Sequence, residues 1–248
     1  MLTRGASVSL PAKGQGWKWE RYGLPKSALK TCMPETSGEQ DWWWLPYFKN
    51  QLKQPRKDLL FIGDSITDEW IYPADHQYPG GLSTWNKRYK DVATNFGMSG
   101  DKTQQVLWRL TEGGALDGYK PKQIVLLIGI NNLIQNDTPA DTADGIKTIV
   151  AYLRKLRPQT KILILGIFPC HEKPADPIRE KVRTVNARIK SLADNKMVHF
   201  TDIGNIFLEK DGSITKAVMR DFLHLSPRGH EMWADAMDPI LLEIMKLP

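Results

Sequence analysis

The stretch 58-DLLFIGDSITDEW-70 decides how this sequence is read. Leu59 to Ile62 is apolar without a break, the pattern of a strand covered on both faces rather than one. It stops at Gly63-Asp64-Ser65: a small residue, an acid and a hydroxyl. A plain turn accounts for such a tripeptide, and so does a nucleophile mounted at a strand end. These residues alone favour the turn. The choice therefore depends on what the chain places after its other strands.

Four further runs share the texture: "VATNFG" (92–97), "QIVLLIG" (123–129), "KILILGIFP" (161–169) and "MVHFTDI" (197–203). Helical stretches lie between or after them. "TPADTADGIKTIVAYLRKLRP" opens on an N-cap threonine, Thr138, with Pro139 at the first helical position, and sets Ile146, Ile149, Val150 and Leu153 on one face. "DPIREKVRTVNARIKSLADN" repeats the spacing with Ile178, Val182, Val185, Ile189 and Leu192. "SPRGHEMWADAMDPILLEIMKL" starts at Ser226-Pro227 with the same device. Strands alternating with helices predict an α/β fold with a parallel sheet.

Residues 1–57 read differently, with five of the nine tryptophans (Trp17, Trp19, Trp42, Trp43, Trp44) and no long periodic run. The expected organisation is a Trp-rich extension over 1–55, packed on or leading into a domain over 56–248. The Trp42-Trp43-Trp44 run has two readings: a lip on which sugar rings stack, or apolar area buried against the domain.

Composition narrows the classes. The 248 residues are ample for one sizeable core, and 41% hydrophobic with 25% charged residues is ordinary for a globular protein. No apolar run approaches the roughly 20 residues of a membrane span, so no stable membrane insertion is expected. The N-terminus has no signal-like apolar stretch; the chain is either cytoplasmic or a secreted form whose signal peptide is absent from this sequence. The net charge of +6 comes from scattered residues, with "KQPRK" (53–57) the nearest to a cluster, so a solvated surface is expected and nucleic acid is not. Cys32 and Cys170 make neither a disulfide framework nor a metal cluster.

In open α/β sheets, sites gather at the carboxyl ends of the strands. After the first run come Gly63, Asp64 and Ser65. After the second come Asn95, Gly97, Ser99, Gly100 and Asp101; after the third, Gly129, Asn131 and Asn132. Asp221 and His224 follow the last run, just before the C-terminal helix. This set fits nucleophilic acyl transfer. A serine hydroxyl needs a histidine to take its proton, and the histidine needs an acid to fix its tautomer. Ser65, His224 and Asp221 supply those types. The Ser65 N–H, the Gly100 N–H and the Asn131 amide are suitable donors for an oxyanion. Each part has a bland alternative, since Gly100 could be a turn glycine and Asn131 a helix cap. Their joint occurrence, each after a strand, favours the site. There is no G-x-S-x-G elbow. His76, His171, His199 and His230 read as surface or packing residues, Trp108 as core and Arg109 as surface. Asp64 is expected to shape its turn, and Asp68 to belong to the following helical turn.

Four segments resemble the blocks of the SGNH, or GDSL, hydrolase superfamily: "FIGDSIT", "NFGMSGDKT", "IGINN" and "DFLHLS". They would supply the nucleophile Ser65, the oxyanion glycine Gly100, the G-x-N asparagine Asn131 and the D-x-x-H pair Asp221 and His224. The likeness covers roughly residues 56–247. Within the superfamily, "NFGMSGD", "VLWRLTEGGALDGYKPKQIVLLIGINN" and "DFLHLSPRGH" are similar to the catalytic subunits of platelet-activating-factor acetylhydrolases and their bacterial acetylesterase relatives. Ser99 departs from them, standing where those subunits usually carry glycine. The resemblance implies a flavodoxin-like three-layer α/β/α sandwich with a five-stranded parallel sheet, no metal or other cofactor, and hydrolysis of short acyl esters. The expected substrate is a small acetylated molecule, such as an acetylated saccharide. Alternatives are a lysophospholipase or thioesterase, a lipid acetylhydrolase, or a non-catalytic binding module. The resemblance is also compatible with a homodimer.

Overall fold

In the computed structural model, residues 41–246 are described, together with Thr31, Glu35, Thr36 and Gly38. Trp17, Trp19 and Cys32, with most of the expected extension, lie outside the described residues.

Five parallel strands form one sheet: β1 (Leu59–Gly63), β2 (Ala93–Gly97), β3 (Gln123–Leu127), β4 (Lys161–Leu165) and β5 (Val198–Thr201). Their order across the sheet is β2-β1-β3-β4-β5, the flavodoxin-like order with its switch point beside β1. All five residues of β1, β2 and β3 are buried, as a strand covered on both faces demands. The apolar runs continue past the strand ends, because the ladder stops at its last paired residues, such as Leu127 beside Gly63. Ile128 and Gly129 then turn out of the sheet, and Gly129 needs its φ of +124° to do so.

The helices are α1 (Asp41–Gln51), α2 (Ser65–Asp68), α3 (Leu82–Arg88), α4 (Thr103–Leu110), α5 (Ile130–Ile134), α6 (Pro139–Leu156), α7 (Pro177–Ile189) and α8 (Pro227–Lys246). Those with proline at the first position start where the sequence signals them. Thr138 Oγ1 accepts the Asp141 N–H at 3.1 Å, Asp176 Oδ1 accepts that of Ile178 at 3.0 Å, and Ser226 Oγ accepts that of Gly229 at 3.1 Å. On one side of the sheet α6 packs against α4 and α7, while α3 packs against α8. Phe61 of β1 meets Trp70, Trp85, Tyr89 and Trp233 with ring centroids 5.3–6.3 Å apart. This aromatic cluster buries much apolar area directly beneath the strand that leads to Ser65.

The end of the expected extension is built into the core. Trp44 and Phe48 of α1 are buried and meet Trp108 at 5.4 and 5.9 Å between ring centroids. Trp42 is exposed and Trp43 half-buried. Arg109 corrects its surface reading, since it is 1% exposed. Burial is tolerable because its guanidinium pairs with Asp101 at 2.7 Å and donates to the Phe96 and Gly63 carbonyls at 2.7 and 3.2 Å.

Candidate active site

Three loops at the carboxyl ends of β1, β2 and β3, and a fourth just before α8, meet in a cleft of about 540 Å³. Ser65, Glu69, Tyr72, Tyr78, Ser99, Gly100, Asn131, Arg220, Asp221, Leu223 and His224 line it. The five residues singled out from sequence are therefore brought to one place.

At the end of β1 the chain turns sharply. A Cβ on Gly63 would sit 2.5 Å from the Leu127 carbonyl oxygen, so only glycine fits beside β3. Asp64 caps α2, its Oδ1 accepting the Ile66 N–H at 3.0 Å, while its buried Oδ2 has no partner. Burial pushes the Asp64 carboxyl up to about 7, against the opposing Ile66 hydrogen bond. Ser65 is then the first helical residue, where an N–H has no acceptor within its own helix.

Ser65 Oγ lies 2.9 Å from His224 Nε2, and His224 Nδ1 lies 2.7 Å from Asp221 Oδ2. A spacing of three residues suffices because Asp221 Oδ1 also accepts the backbone N–H groups of Leu223 and His224, at 3.1 and 2.7 Å. The carboxylate thus folds the turn that carries its own partner. Phe222, between them, adopts a left-handed φ of 63°, and its carbonyl accepts the His171 N–H at 2.7 Å. Asp221 accepts a hydrogen bond from the Nδ1–H, which leaves the Nε2 lone pair facing the serine hydroxyl.

The electrostatics follow from those contacts. Burial opposes a charged His224, but the hydrogen bond to Asp221 and the nearby carboxylates of Glu69 and Asp221 outweigh it and raise the imidazole above its ordinary value. Burial likewise opposes the Asp221 carboxylate, yet the hydrogen bonds from His224 and Leu223 hold it well below the usual carboxylate range.

The remaining donors flank the serine. Gly100, at φ +82°, sits in the Met98–Asp101 turn after β2, where a side chain would be strained. Asn131 donates one amide hydrogen to the Asp101 carbonyl at 2.9 Å, leaving the second free for the cleft. This arrangement can move a proton from a hydroxyl to an imidazole and offer several N–H groups to a developing oxyanion.

Other histidines stand apart. His230 is fully buried 4.6 Å from the Trp70 ring, and burial lowers it to about 4. His199 Nε2 lies 3.1 Å from the Lys196 carbonyl, and His171 pairs with Asp176 at 2.9 Å. Burial pushes the Cys170 thiol up to about 12, leaving it unreactive. None of Trp42, Trp43 and Trp44 lines the cleft.

Sequence reading missed several groups. Asp68 is buried and accepts from Tyr47, Tyr72 and Ser99 at 2.5, 3.0 and 3.0 Å. Glu69 and Arg220, 151 residues apart, form a bidentate pair at 2.6 and 2.8 Å. Tyr72 stands only four residues from Asp68, but no local pattern signals Tyr47, Ser99 or the Glu69–Arg220 pair, which join segments distant in the chain.

Comparison with known proteins completes the picture. Residues 61–232 match the GDSL-like Lipase/Acylhydrolase family. The platelet-activating factor acetylhydrolase IB subunit alpha1 of Rattus norvegicus is 35% identical over 226 residues, 90% of this chain and 92% of the rat protein. The alpha2 subunit of the same species is 36% identical over 196 residues, 78% of this chain and 80% of its own. A GDSL-like lipase from Bacteroides thetaiotaomicron shares the fold at TM-score 0.62 and 18% identity, covering 81% of this chain and 98% of its own. A catalytic mutant of an acetylxylan esterase from Geobacillus stearothermophilus does so at TM-score 0.57 and 21% identity, covering 77% and 95%. With the family match spanning the strand-end loops that form the cleft, the chain belongs to the GDSL-like lipase/acylhydrolase family, hydrolases that act on esters.

Proposed function

We propose that this chain is a serine esterase that removes short acyl groups, acetyl above all, from acetylated carbohydrates. Ser65 is the nucleophile, His224 the general base and then the general acid, and Asp221 the residue that orients the imidazole. The single observation carrying this reading is the hydrogen-bonded chain Ser65–His224–Asp221, at 2.9 and 2.7 Å, opening on a cleft shared with Gly100 and Asn131.

The steps follow from that order. Ser65 Oγ bonds to the ester carbonyl carbon as its proton passes to His224 Nε2. Negative charge develops on the carbonyl oxygen, where the N–H groups of Ser65 and Gly100 and the Asn131 amide receive it. Collapse breaks the bond to the alcohol oxygen, which leaves with the proton from His224. A water molecule then gives a proton to His224 and attacks the acyl-enzyme, releasing the acid and restoring Ser65. Asp221 stabilises the imidazolium at both stages.

The acetyl preference is supported by the 35% identity to an acetylhydrolase subunit, and the fold is one that an acetylxylan esterase shares. A lipid acetylhydrolase is the second reading, favoured by 35% identity to the rat subunit. Ser65→Ala should abolish hydrolysis of p-nitrophenyl acetate and labelling by a fluorophosphonate probe, with the thermal transition retained. Undiminished turnover in that variant would sink the assignment.

A further inference from the structure

On the esterase reading above, the alcohol half of the ester lies against cleft residues that include Tyr72 and Ser99. Asp68 closes α2 and is 2% exposed. Its Oδ1 accepts the Tyr47 hydroxyl at 2.5 Å. Its Oδ2 accepts two more hydroxyls, Tyr72 and Ser99, each at 3.0 Å. Tyr72 and Ser99 both line the cleft, and Ser99 adjoins Gly100.

A hydroxyl has one hydrogen to give. Once Tyr72 and Ser99 have given theirs to a carboxylate oxygen, only their lone pairs remain to face a ligand. The cleft wall therefore presents two acceptors side by side and no donor from these residues.

The cations do not alter this. Arg220 is the one Lys or Arg among the described residues lining the cleft. Its charge is compensated by Glu69, paired through Nη2 and Nη1 at 2.6 and 2.8 Å, and Nη1 also faces the Pro79 and Leu225 carbonyls at 3.3 and 3.1 Å. A phosphate would find no unpaired guanidinium there, and would face acceptor oxygens backed by a buried carboxyl group. Tyr78, half-exposed with Arg220 5.8 Å from its ring centroid, offers a flat apolar face near the same wall.

We infer that Ser99 and Tyr72, oriented by Asp68, form a subsite for the free hydroxyl groups of the alcohol half, selecting a partly acetylated saccharide or polyol over a phospholipid. The hydroxyls neighbouring the ester donate to Ser99 Oγ and Tyr72 Oη. Asp68 is a positioning residue, holding both oxygens in the accepting orientation.

The test compares three esters with p-nitrophenyl acetate as the common reference. One is a methyl glycoside with a single acetyl group and free neighbouring hydroxyls. The second is the same glycoside with those hydroxyls capped as methyl ethers, and the third is an acetylated ether phospholipid. Wild-type kcat/KM should be about 100-fold higher for the free glycoside than for the capped one, two hydrogen bonds being lost. Ser99→Ala and Tyr72→Phe should each lower the ratio of free-glycoside to p-nitrophenyl acetate kcat/KM about tenfold and narrow the free-to-capped gap. If Tyr72→Phe fails to fold, Ser99→Ala carries the same readout. Hydrolysis of free and capped glycosides within about twofold, or a preference for the phospholipid, overturns the inference while the esterase reading stands. Failure to hydrolyse p-nitrophenyl acetate and every other ester removes both.

Discussion

Trp44 and Asp101, 57 residues apart in sequence, are joined by a 2.7 Å hydrogen bond from the indole Nε1 to the carboxylate Oδ1. Asp101 follows Gly100, and its carbonyl holds the Asn131 amide. Its other carboxylate oxygen pairs with Arg109, which reaches the Gly63 carbonyl just before the nucleophile turn. Helix α1 is thus tied to both the β1 and β2 loops of the cleft.

Removing that tie should loosen the oxyanion side. Trp44→Phe keeps most of the ring packing but leaves Asp101 short of a donor, at a cost of about 1–3 kcal/mol. Arg109→Met strands a buried carboxylate and should cost more, about 3–5 kcal/mol. Urea denaturation measures both, and equal stability of the two variants and wild type would contradict the network.

Asp221→Asn should lower kcat by about 100- to 10,000-fold with KM for p-nitrophenyl acetate little changed, because the imidazole loses its oriented tautomer. Steady-state kinetics checks this. A small effect would mean that His224 is held by its backbone alone.

The pH profile should carry the raised pKa of His224. Activity needs a neutral imidazole, so the acid limb of kcat/KM should have its midpoint above the ordinary 6.5. In residual Asp221→Asn activity that midpoint should move down, as the hydrogen bond and charge that raise it are gone. The pair also links pH to stability. The raised His224 contributes stability that is fully present below 6.5 and lost as pH rises through its folded value. The lowered Asp221 contributes stability present above 3.8 and lost as pH falls through its folded value.

Asp64 has the opposite sign for a carboxyl group. Its folded value near 7 lies above the unfolded 3.8, so the folded state holds an extra proton between them and stability falls as pH rises through that window. Asp64→Asn keeps an acceptor for the Ile66 N–H and should flatten this dependence. Denaturation midpoints at about pH 4 and about pH 8 test it; an unchanged slope would assign the loss elsewhere.

Acyl length should matter. Leu223 is the one aliphatic side chain among the described residues lining the cleft, too little apolar surface to cover a long tail. Turnover of p-nitrophenyl esters should fall steeply from acetyl to octanoyl, and a preference for octanoyl would overturn the short-acyl reading.

What was legible in the sequence was local. Uninterrupted apolar runs such as Leu59–Ile62 mark strands covered on both faces, and Thr138-Pro139 and Ser226-Pro227 mark helix starts, because period, capping and proline act over a few residues. The positions of Ser65, Gly100 and Asn131 at strand ends were legible for the same reason, whereas Asp221 and His224, read as following the last strand, lie about 20 residues beyond β5, just before α8. Their meeting was not: that depends on the strand order β2-β1-β3, which sets the first three loops side by side. The Asp68 contacts to Tyr47 and Ser99, the Glu69–Arg220 pair and the burial of Arg109 were likewise decided by tertiary structure. Each joins groups whose charge or hydroxyl would be costly to bury alone, and only the folded chain supplies the partner.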